Sequence, residues 1–281
     1  NYKIPDMFDY TVFKLNKKLP NVARWAGGNH KWLFPIRKTI KKKSLQKCDK
    51  IICSGVDEIN VLNKIFEIPT EKIIKIMNPI DLDLFKERDR EKSAEIIRID
   101  PSYRYLLYVG RFSENNKGIE LLLNCFKKLK NMYPDLKLIL IGDGPLKKFI
   151  SEFIGKNQLQ QSIIMPGRLS HEKSCYYYNV ASVLINISGS GGLPNVIMES
   201  IPSKLPVIAT NVGASRDYVG EKFGNGVLIE QSEDQLESAL ELILSNEKRF
   251  RSGDNIQLEE FSFDRYGQKL KKVYQELIQK G

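Results

Sequence analysis

The sequence predicts an α/β protein built on parallel β-sheets with helices on both faces. From Val22 onward, short apolar runs alternate with segments whose apolar residues recur at helical spacing. This alternation is typical of parallel strands connected by helices. The 281 residues exceed one average domain but are few for two complete Rossmann domains. The predicted strands cover residues 22–26, 50–54, 72–77, 105–109, 136–141, 163–165, 183–187, 207–209 and 226–229.

The positive charge is concentrated near the start of the chain. Residues 1–50 carry 13 Lys and Arg against three Asp, whereas residues 51–281 carry 31 basic and 31 acidic residues. Within residues 31–50 the cations are interleaved with Trp32 and other apolar side chains, a pattern that suits an anionic membrane surface. A solvated face of a globular helix is the alternative. Nucleic acid is not an expected partner, because no helix-turn-helix, zinc-finger or RNA-binding aromatic pattern is present.

The four cysteines and two histidines do not form a metal-binding pattern. Cys48, Cys53, Cys125 and Cys175 are scattered, and no Cys-x-x-Cys pair occurs. Cys53 falls on a predicted strand and Cys125 on a predicted helix. Both are therefore expected to be small buried hydrophobic residues in a reducing compartment. No run of 18 apolar residues predicts a membrane-spanning helix, and no signal-peptide pattern is present.

A polar stretch over residues 86–100, shortly after Asn78-Pro79, is the expected domain boundary. The strand over residues 105–109 follows, and then a loop with Arg111 and Lys117 between Gly110 and Gly118. Ligands of open parallel sheets bind outside the carboxyl ends of the strands, where two cations could hold a diphosphate. Solvated surface charges are the alternative.

A second glycine-rich loop follows the strand over residues 183–187. Gly189, Gly191 and Gly192 precede Pro194, which is expected to open a helix that carries Glu199. In such an arrangement of strand, glycine-rich loop and helix, the free backbone N–H groups and the positive end of the helix dipole point at one place. That place is suited to bind a phosphate group. A tight strand-to-helix turn that binds nothing fits the same segment.

The last predicted helix begins after Ser262, a suitable N-cap, with Asp264 in its first turn. Its apolar stripe is formed by Tyr266, Leu270, Val273, Tyr274 and Leu277.

Several of these pieces together resemble the family 4 glycosyltransferases. They are residues 109–118, 140–145, 192–200 and 206–210, in the order and at about the spacing of that family, and the likeness extends over residues 51–281. The resemblance implies an α/β GT-B fold of two facing Rossmann-like domains with parallel sheets and a UDP- or GDP-sugar in the cleft. It implies sugar transfer with retention of anomeric configuration, without a metal ion or other cofactor.

The resemblance also assigns roles to residues. It implies that Arg111 and Lys117 hold the donor diphosphate and that Glu199 binds the ribose hydroxyls. The full expected donor-binding set is Gly110, Arg111, Lys117, Gly142, Gly144, Arg168, Gly191, Gly192, Leu193, Pro194, Asn195 and Glu199.

The expected domains are a partial N-terminal, acceptor-side domain over residues 1–97 and a nucleotide-sugar-binding domain over 98–261. The helix over 262–281 is expected to rejoin the first domain. Only about three strands precede the boundary, so roughly the first 80–100 residues of a full-length family member are expected to be missing. Gly28, Asn29 and His30 match the family segment that faces the catalytic site, although a surface loop explains His30 equally well.

One residue departs from the family pattern. The family carries two glutamates separated by seven residues; Glu199 matches the second, and Gly191 stands where the first is expected. The first acid contacts the donor sugar in the family. With glycine at this position, recognition of the donor sugar and turnover are both in doubt. Ser188 and Ser190 offer hydroxyls nearby, which bind more weakly than a carboxylate.

The sequence therefore predicts a glycosyltransferase that transfers a sugar from a nucleotide-sugar donor to a glycan or lipid-linked acceptor. A non-catalytic nucleotide-sugar-binding subunit of a glycosyltransferase complex is the alternative. The expected location is cytoplasmic, with peripheral contact at the inner face of an anionic membrane through residues 31–50 left open.

Overall fold

A computed structural model describes residues 22–24, 34–113, 117–188, 194–251 and 257–279. Contacts divide the chain into two compact units. The first comprises residues 1–79, 190–193 and 259–281, and the second comprises 80–189 and 194–258. The sequence prediction placed the boundary at 97/98, whereas the contacts divide the chain at Pro79/Ile80, because the helix over Arg90–Ile97 packs on the helix over His171–Val180.

The first unit contains a three-stranded parallel sheet in the order β1-β2-β3 among the described residues. Glu58 caps the helix between β2 and β3, because its carboxylate accepts hydrogen bonds from the backbone N–H groups of Ser54 and Gly55. The elements of this unit are β1 (Val22–Arg24), α1 (Phe34–Gln46), β2 (Lys50–Cys53), α2 (Val56–Phe66), β3 (Ile73–Lys75) and α10 (Phe263–Ile278).

Helix α10 packs on this sheet. Val273 is buried with Ile52 of β2 and Ile76, beside the partly buried Tyr266 and Leu270. The expected N-cap is present, since the Ser262 side chain accepts a hydrogen bond from the backbone N–H of Arg265. The amphipathic stripe read from the sequence therefore fixes the C-terminal helix on the sheet of the first unit.

In the described part of the chain, the second unit is built on six parallel strands: β4 (Arg104–Val109), β5 (Leu136–Ile141), β6 (Ile163–Gly167), β7 (Val183–Asn186), β8 (Val207–Thr210) and β9 (Gly226–Ile229). Their order across the sheet is β6-β5-β4-β7-β8-β9. Both faces of the sheet are covered at its centre, because the neighbouring residues Leu106 and Leu107, whose side chains point to opposite faces, are both fully buried. The α-helices described in this unit are α3 (Arg90–Ile97), α4 (Lys117–Met132), α5 (Lys147–Lys156), α6 (His171–Val180), α7 (Asn195–Ser200), α8 (Glu233–Ser245) and α9 (Glu247–Phe250).

The nine predicted strands correspond to the nine observed ones, with ends that differ by up to two residues. The helical stripe expected after β4 is confirmed, since Ile119, Leu122, Leu123 and Phe126 are fully buried. All four cysteines are free and buried. None of the helices in the described part of the chain is long and apolar enough to cross a bilayer.

Candidate functional site

The strand order of the second unit reverses between β4 and β7. From this point the chain adds β5 and β6 on one side and β8 and β9 on the other. The connections that leave the carboxyl ends of β4 and β7 therefore diverge to opposite sides of the sheet. Open parallel sheets bind ligands in the crevice at such a switch point. Both glycine-rich segments singled out in the sequence begin there, at Gly110 and after Ile187.

Gly118 brings the first turn of α4 close to the end of β7. A Cβ atom added at Gly118 would lie 2.2 Å from the carbonyl oxygen of Ile187, so no other residue fits without a shift of the backbone. Lys117 is the first residue of α4 and is therefore carried by the backbone to the switch point. The carboxyl ends of two neighbouring strands and the start of a helix meet at one place.

Backbone hydrogen bonds fix the loop after β4. The Gly110 N–H donates to the Ile141 carbonyl and the Phe112 N–H to the Asp143 carbonyl, each at 3.0 Å, and the Phe112 side chain is buried. Arg111 lies between these two anchors with an exposed side chain, and its guanidinium makes no hydrogen bond or ion pair with any described residue. A hydrogen-bonded backbone thus presents the exposed side chain of Arg111 at the switch point, without a partner among the described residues.

Gly142 and Gly144 support this loop from the end of β5. Both have positive φ, +149° and +151°. A Cβ atom at Gly142 would lie 1.9 Å from the Gly110 carbonyl oxygen, and one at Gly144 would lie 2.5 Å from that of Phe112. The close approach of these backbones explains both glycines without a ligand.

Glu199 is buried in the fifth position of α7, with 5% of its surface exposed. Its Oε2 accepts a hydrogen bond of 2.5 Å from the Tyr178 hydroxyl, and its Oε1 lies 3.8 Å from Nε2 of the exposed His171. Burial raises the pKa of Glu199, while the Tyr178 hydrogen bond and the proximity of His171 oppose this rise. Glu199 is thus hydrogen-bonded through Oε2, while its Oε1 faces the imidazole of the exposed His171.

Sequence reasoning missed both partners of Glu199. Tyr178 and His171 lie on α6, 21 and 28 positions before Glu199. The only available signal was the run Tyr176–Tyr178, because a buried carboxylate requires a hydrogen-bond donor.

The remaining predicted donor residues are distributed along the carboxyl edge. Pro194 is the N-cap of α7 rather than its first residue, and Asn195 is exposed in the first position. Arg168 is exposed after β6, two strands from β4, which corresponds to about 10 Å. Outside the described residues lie Gly28, Asn29, His30, Gly191, Gly192 and Leu193.

The opposite, amino edge of the same sheet holds a polar cavity of about 260 Å³. Its arginines have protein partners. Arg104 forms a two-bond ion pair with Asp135, Arg251 pairs with Glu247, and Arg90 donates to three backbone carbonyls. The lining residues are Glu87, Arg88, Arg90, Arg104, Asn179, Ser182, Ser203, Glu247 and Arg251.

A parallel sheet of six strands among the described residues, with glycines in the segments that follow its strands and with Arg111 and the buried Glu199 on its carboxyl side, defines an α/β unit of the kind that binds ligands outside the carboxyl ends of its strands. The family model for glycosyl transferases group 1 matches residues 89–257. The chain therefore belongs to this glycosyltransferase family.

Three known proteins illustrate the relationship. An uncharacterized glycosyltransferase of Methanocaldococcus jannaschii is 31% identical over 99% of this chain and 74% of its own length. A Campylobacter jejuni enzyme, N-acetylgalactosamine-N,N'-diacetylbacillosaminyl-diphospho-undecaprenol 4-alpha-N-acetylgalactosaminyltransferase, is 27% identical over 72% of this chain, which spans only 52% of that enzyme.

A crystal structure of Anabaena HepE in complex with UDP and glucose matches with a TM-score of 0.75 at 15% identity. The match covers 90% of this chain and 71% of HepE. Together with the parallel sheets, this likeness confirms the expected α/β, GT-B fold class.

Proposed function

We propose that the chain transfers a sugar from a UDP- or GDP-sugar to a glycan or lipid-linked acceptor, with retention of configuration. The observation that carries this proposal is the exposed Arg111, which has no partner among the described residues and lies on a hydrogen-bonded loop at the switch point. Two of the similar proteins support this proposal. HepE was solved in complex with UDP and glucose, and the Campylobacter enzyme acts on a diphospho-undecaprenol-linked sugar.

In this proposal, positive charge at the switch point stabilises the leaving group. The bond between the anomeric carbon and the diphosphate oxygen breaks, and its electrons stay on the diphosphate as negative charge. The acceptor hydroxyl oxygen bonds to the anomeric carbon, and its proton passes to the departing diphosphate. Arg111 and Lys117 stabilise that negative charge. Glu199 holds the ribose hydroxyls. Because side chains supply the charge, the proposal requires no metal ion, and excess EDTA should leave transfer unchanged.

Calorimetric titration with UDP and GDP tests the diphosphate site. Arg111→Gln should weaken binding of the preferred nucleotide at least tenfold, since a hydrogen bond to a charged group contributes about 1.5–3 kcal/mol. The melting temperature should not change, because Arg111 has no hydrogen bond or ion pair to lose among the described residues. The matched control is Arg249→Gln, another exposed arginine, on α9. Equal affinity of wild type and Arg111→Gln would remove the diphosphate role.

A non-catalytic donor-binding subunit is the second candidate, and Gly191 favours it. Gly191→Glu restores the acid of the family pattern, whose carboxylate makes stronger hydrogen bonds to sugar hydroxyls than neutral groups do. If the missing acid limits turnover, donor hydrolysis should rise. A lower melting temperature without a gain means that the glycine is structural. An unchanged melting temperature without a gain favours the binding subunit.

We also propose peripheral membrane contact through residues 31–50. On α1, Ile40 is 57% exposed and Lys43 is exposed beside it, whereas Lys42 pairs with Glu67 and Lys41 is buried. An exposed apolar residue next to an exposed cation suits an anionic interface. Vesicles with phosphatidylglycerol should co-sediment the protein, and Ile40→Ser with Lys43→Gln should reduce this. Binding that is equal for neutral vesicles, or unaffected by the two changes, would contradict the proposal.

A further inference from the structure

Tyr178 is fully buried beneath Glu199. Its ring meets Phe85 edge-on, with centroids 5.4 Å apart and planes at 79°, and Phe85 is itself 2% exposed. The buried hydroxyl has one direction in which to donate, and it donates to Oε2 of Glu199. Packing of two aromatic rings thus fixes the donor before any ligand arrives.

The same hydrogen bond fixes the rotation of the carboxylate. With Oε2 engaged, Oε1 is the oxygen that turns toward the exposed end of α6, where the His171 side chain is 70% exposed. The backbone under Glu199 is also held, because the Ser203 hydroxyl donates to the Glu199 carbonyl at 3.1 Å. Oε1 has no hydrogen-bond donor among the described residues, so it is the oxygen left to accept a hydrogen bond from a ligand.

We propose that Tyr178 is a positioning residue of the donor site: it aligns Glu199 so that Oε1 accepts a hydrogen bond from a ribose hydroxyl of the nucleotide. This inference rests on the proposed function, and it deepens it by identifying what distinguishes a nucleoside diphosphate from inorganic diphosphate. Arg111 and Lys117 recognise the charge common to both ligands, whereas the pair of Tyr178 and Glu199 recognises only the nucleoside.

The pair also determines how binding depends on pH. Burial raises the pKa of Glu199, and the Tyr178 hydrogen bond lowers it, because the hydroxyl stabilises the charged carboxylate. Among the described residues, His171 and Tyr178, both on α6, are the titratable groups that act on Glu199. Loss of the Tyr178 hydroxyl should therefore raise the pKa of Glu199 further and weaken nucleotide binding more at pH 5.5 than at pH 8.

The test is a calorimetric comparison of UDP, GDP and inorganic pyrophosphate with Tyr178→Phe. The matched control is Tyr177→Phe, which removes a hydroxyl from the neighbouring buried tyrosine, one with no hydrogen-bond partner among the described residues. Tyr178→Phe should weaken the preferred nucleotide roughly three- to tenfold at pH 8. Its affinity for pyrophosphate, and all affinities of Tyr177→Phe, should remain those of wild type.

A double-mutant cycle separates positioning from general destabilisation. In the Glu199→Gln background, Tyr178→Phe should cause little further loss of nucleotide affinity, because the carboxylate that it positions is gone. Equal weakening of nucleotide and pyrophosphate, or additive losses in the cycle, would overturn the inference. If wild type binds neither UDP nor GDP, the proposed function is wrong, and so is this inference, which rests on it. If Glu199→Gln weakens nucleotide binding and Tyr178→Phe does not, the inference alone fails.

Discussion

At the amino edge of the six-stranded sheet the arginines are engaged with protein partners, whereas Arg111 at the carboxyl edge has none among the described residues. Arg90 donates to the carbonyls of Val180, Pro101 and Tyr103, at 3.1, 2.7 and 2.7 Å. Arg111 sits on a loop whose backbone is equally well fixed, but its side chain is left exposed. Similar residues therefore serve stability at one edge and remain available for a ligand at the other.

The largest effect that tests this comparison concerns the rigidity of the carboxyl edge. Gly142→Ala would place a Cβ atom on the Gly110 carbonyl at a positive φ, so we expect a loss of roughly 2–4 kcal/mol of unfolding free energy. Gly155→Ala in α5 is the control: nothing lies within 4 Å, and a gain of about 0.5–1 kcal/mol is expected. Urea unfolding of both variants gives the values. A tolerated Gly142→Ala would show that the loop is not held by this contact.

An intermediate effect is expected at the amino edge. Arg90→Gln leaves at least one of three carbonyls without its donor, which should lower the free energy of unfolding by about 2 kcal/mol. Nucleotide affinity should not change, the reverse of the pattern expected for Arg111→Gln. Urea unfolding and UDP titration of both variants measure the contrast. If Arg90→Gln weakens nucleotide binding without a loss of stability, the roles assigned to the two edges are wrong.

The smallest effect is the pH dependence contributed by Glu199. Its folded-state pKa is raised, so the folded protein holds a proton at pH values where the unfolded chain has released it. This contribution therefore favours folding at low pH and is lost as the pH rises from about 4.5 through the folded pKa. Relative to wild type, Glu199→Gln should become more stable between pH 4.5 and pH 8. Parallel pH profiles in urea unfolding would contradict this.

The sequence allowed the strands to be predicted because buried parallel strands are continuous apolar runs, as in residues 136–141. It also placed Arg111 in the loop after β4 and Glu199 on the helix after β7, since glycine-rich segments after strands are local patterns. Tyr178 and His171 were not predictable, because their approach to Glu199 depends on the packing of α6 against α7. The partners of Arg90 were hidden for the same reason: no pattern along the chain indicates which backbone carbonyls a folded protein brings to one guanidinium.

Hydrogen–deuterium exchange with and without saturating UDP or GDP tests most directly the claim that the carboxyl edge binds the nucleotide. We expect slower amide exchange in residues 110–118 and 187–200, which leave β4 and β7 at the switch point. Exchange in residues 247–251, beside the arginine-lined cavity, should be unchanged. Slower exchange at residues 247–251, with no change in the two loops of the carboxyl edge, would contradict the account.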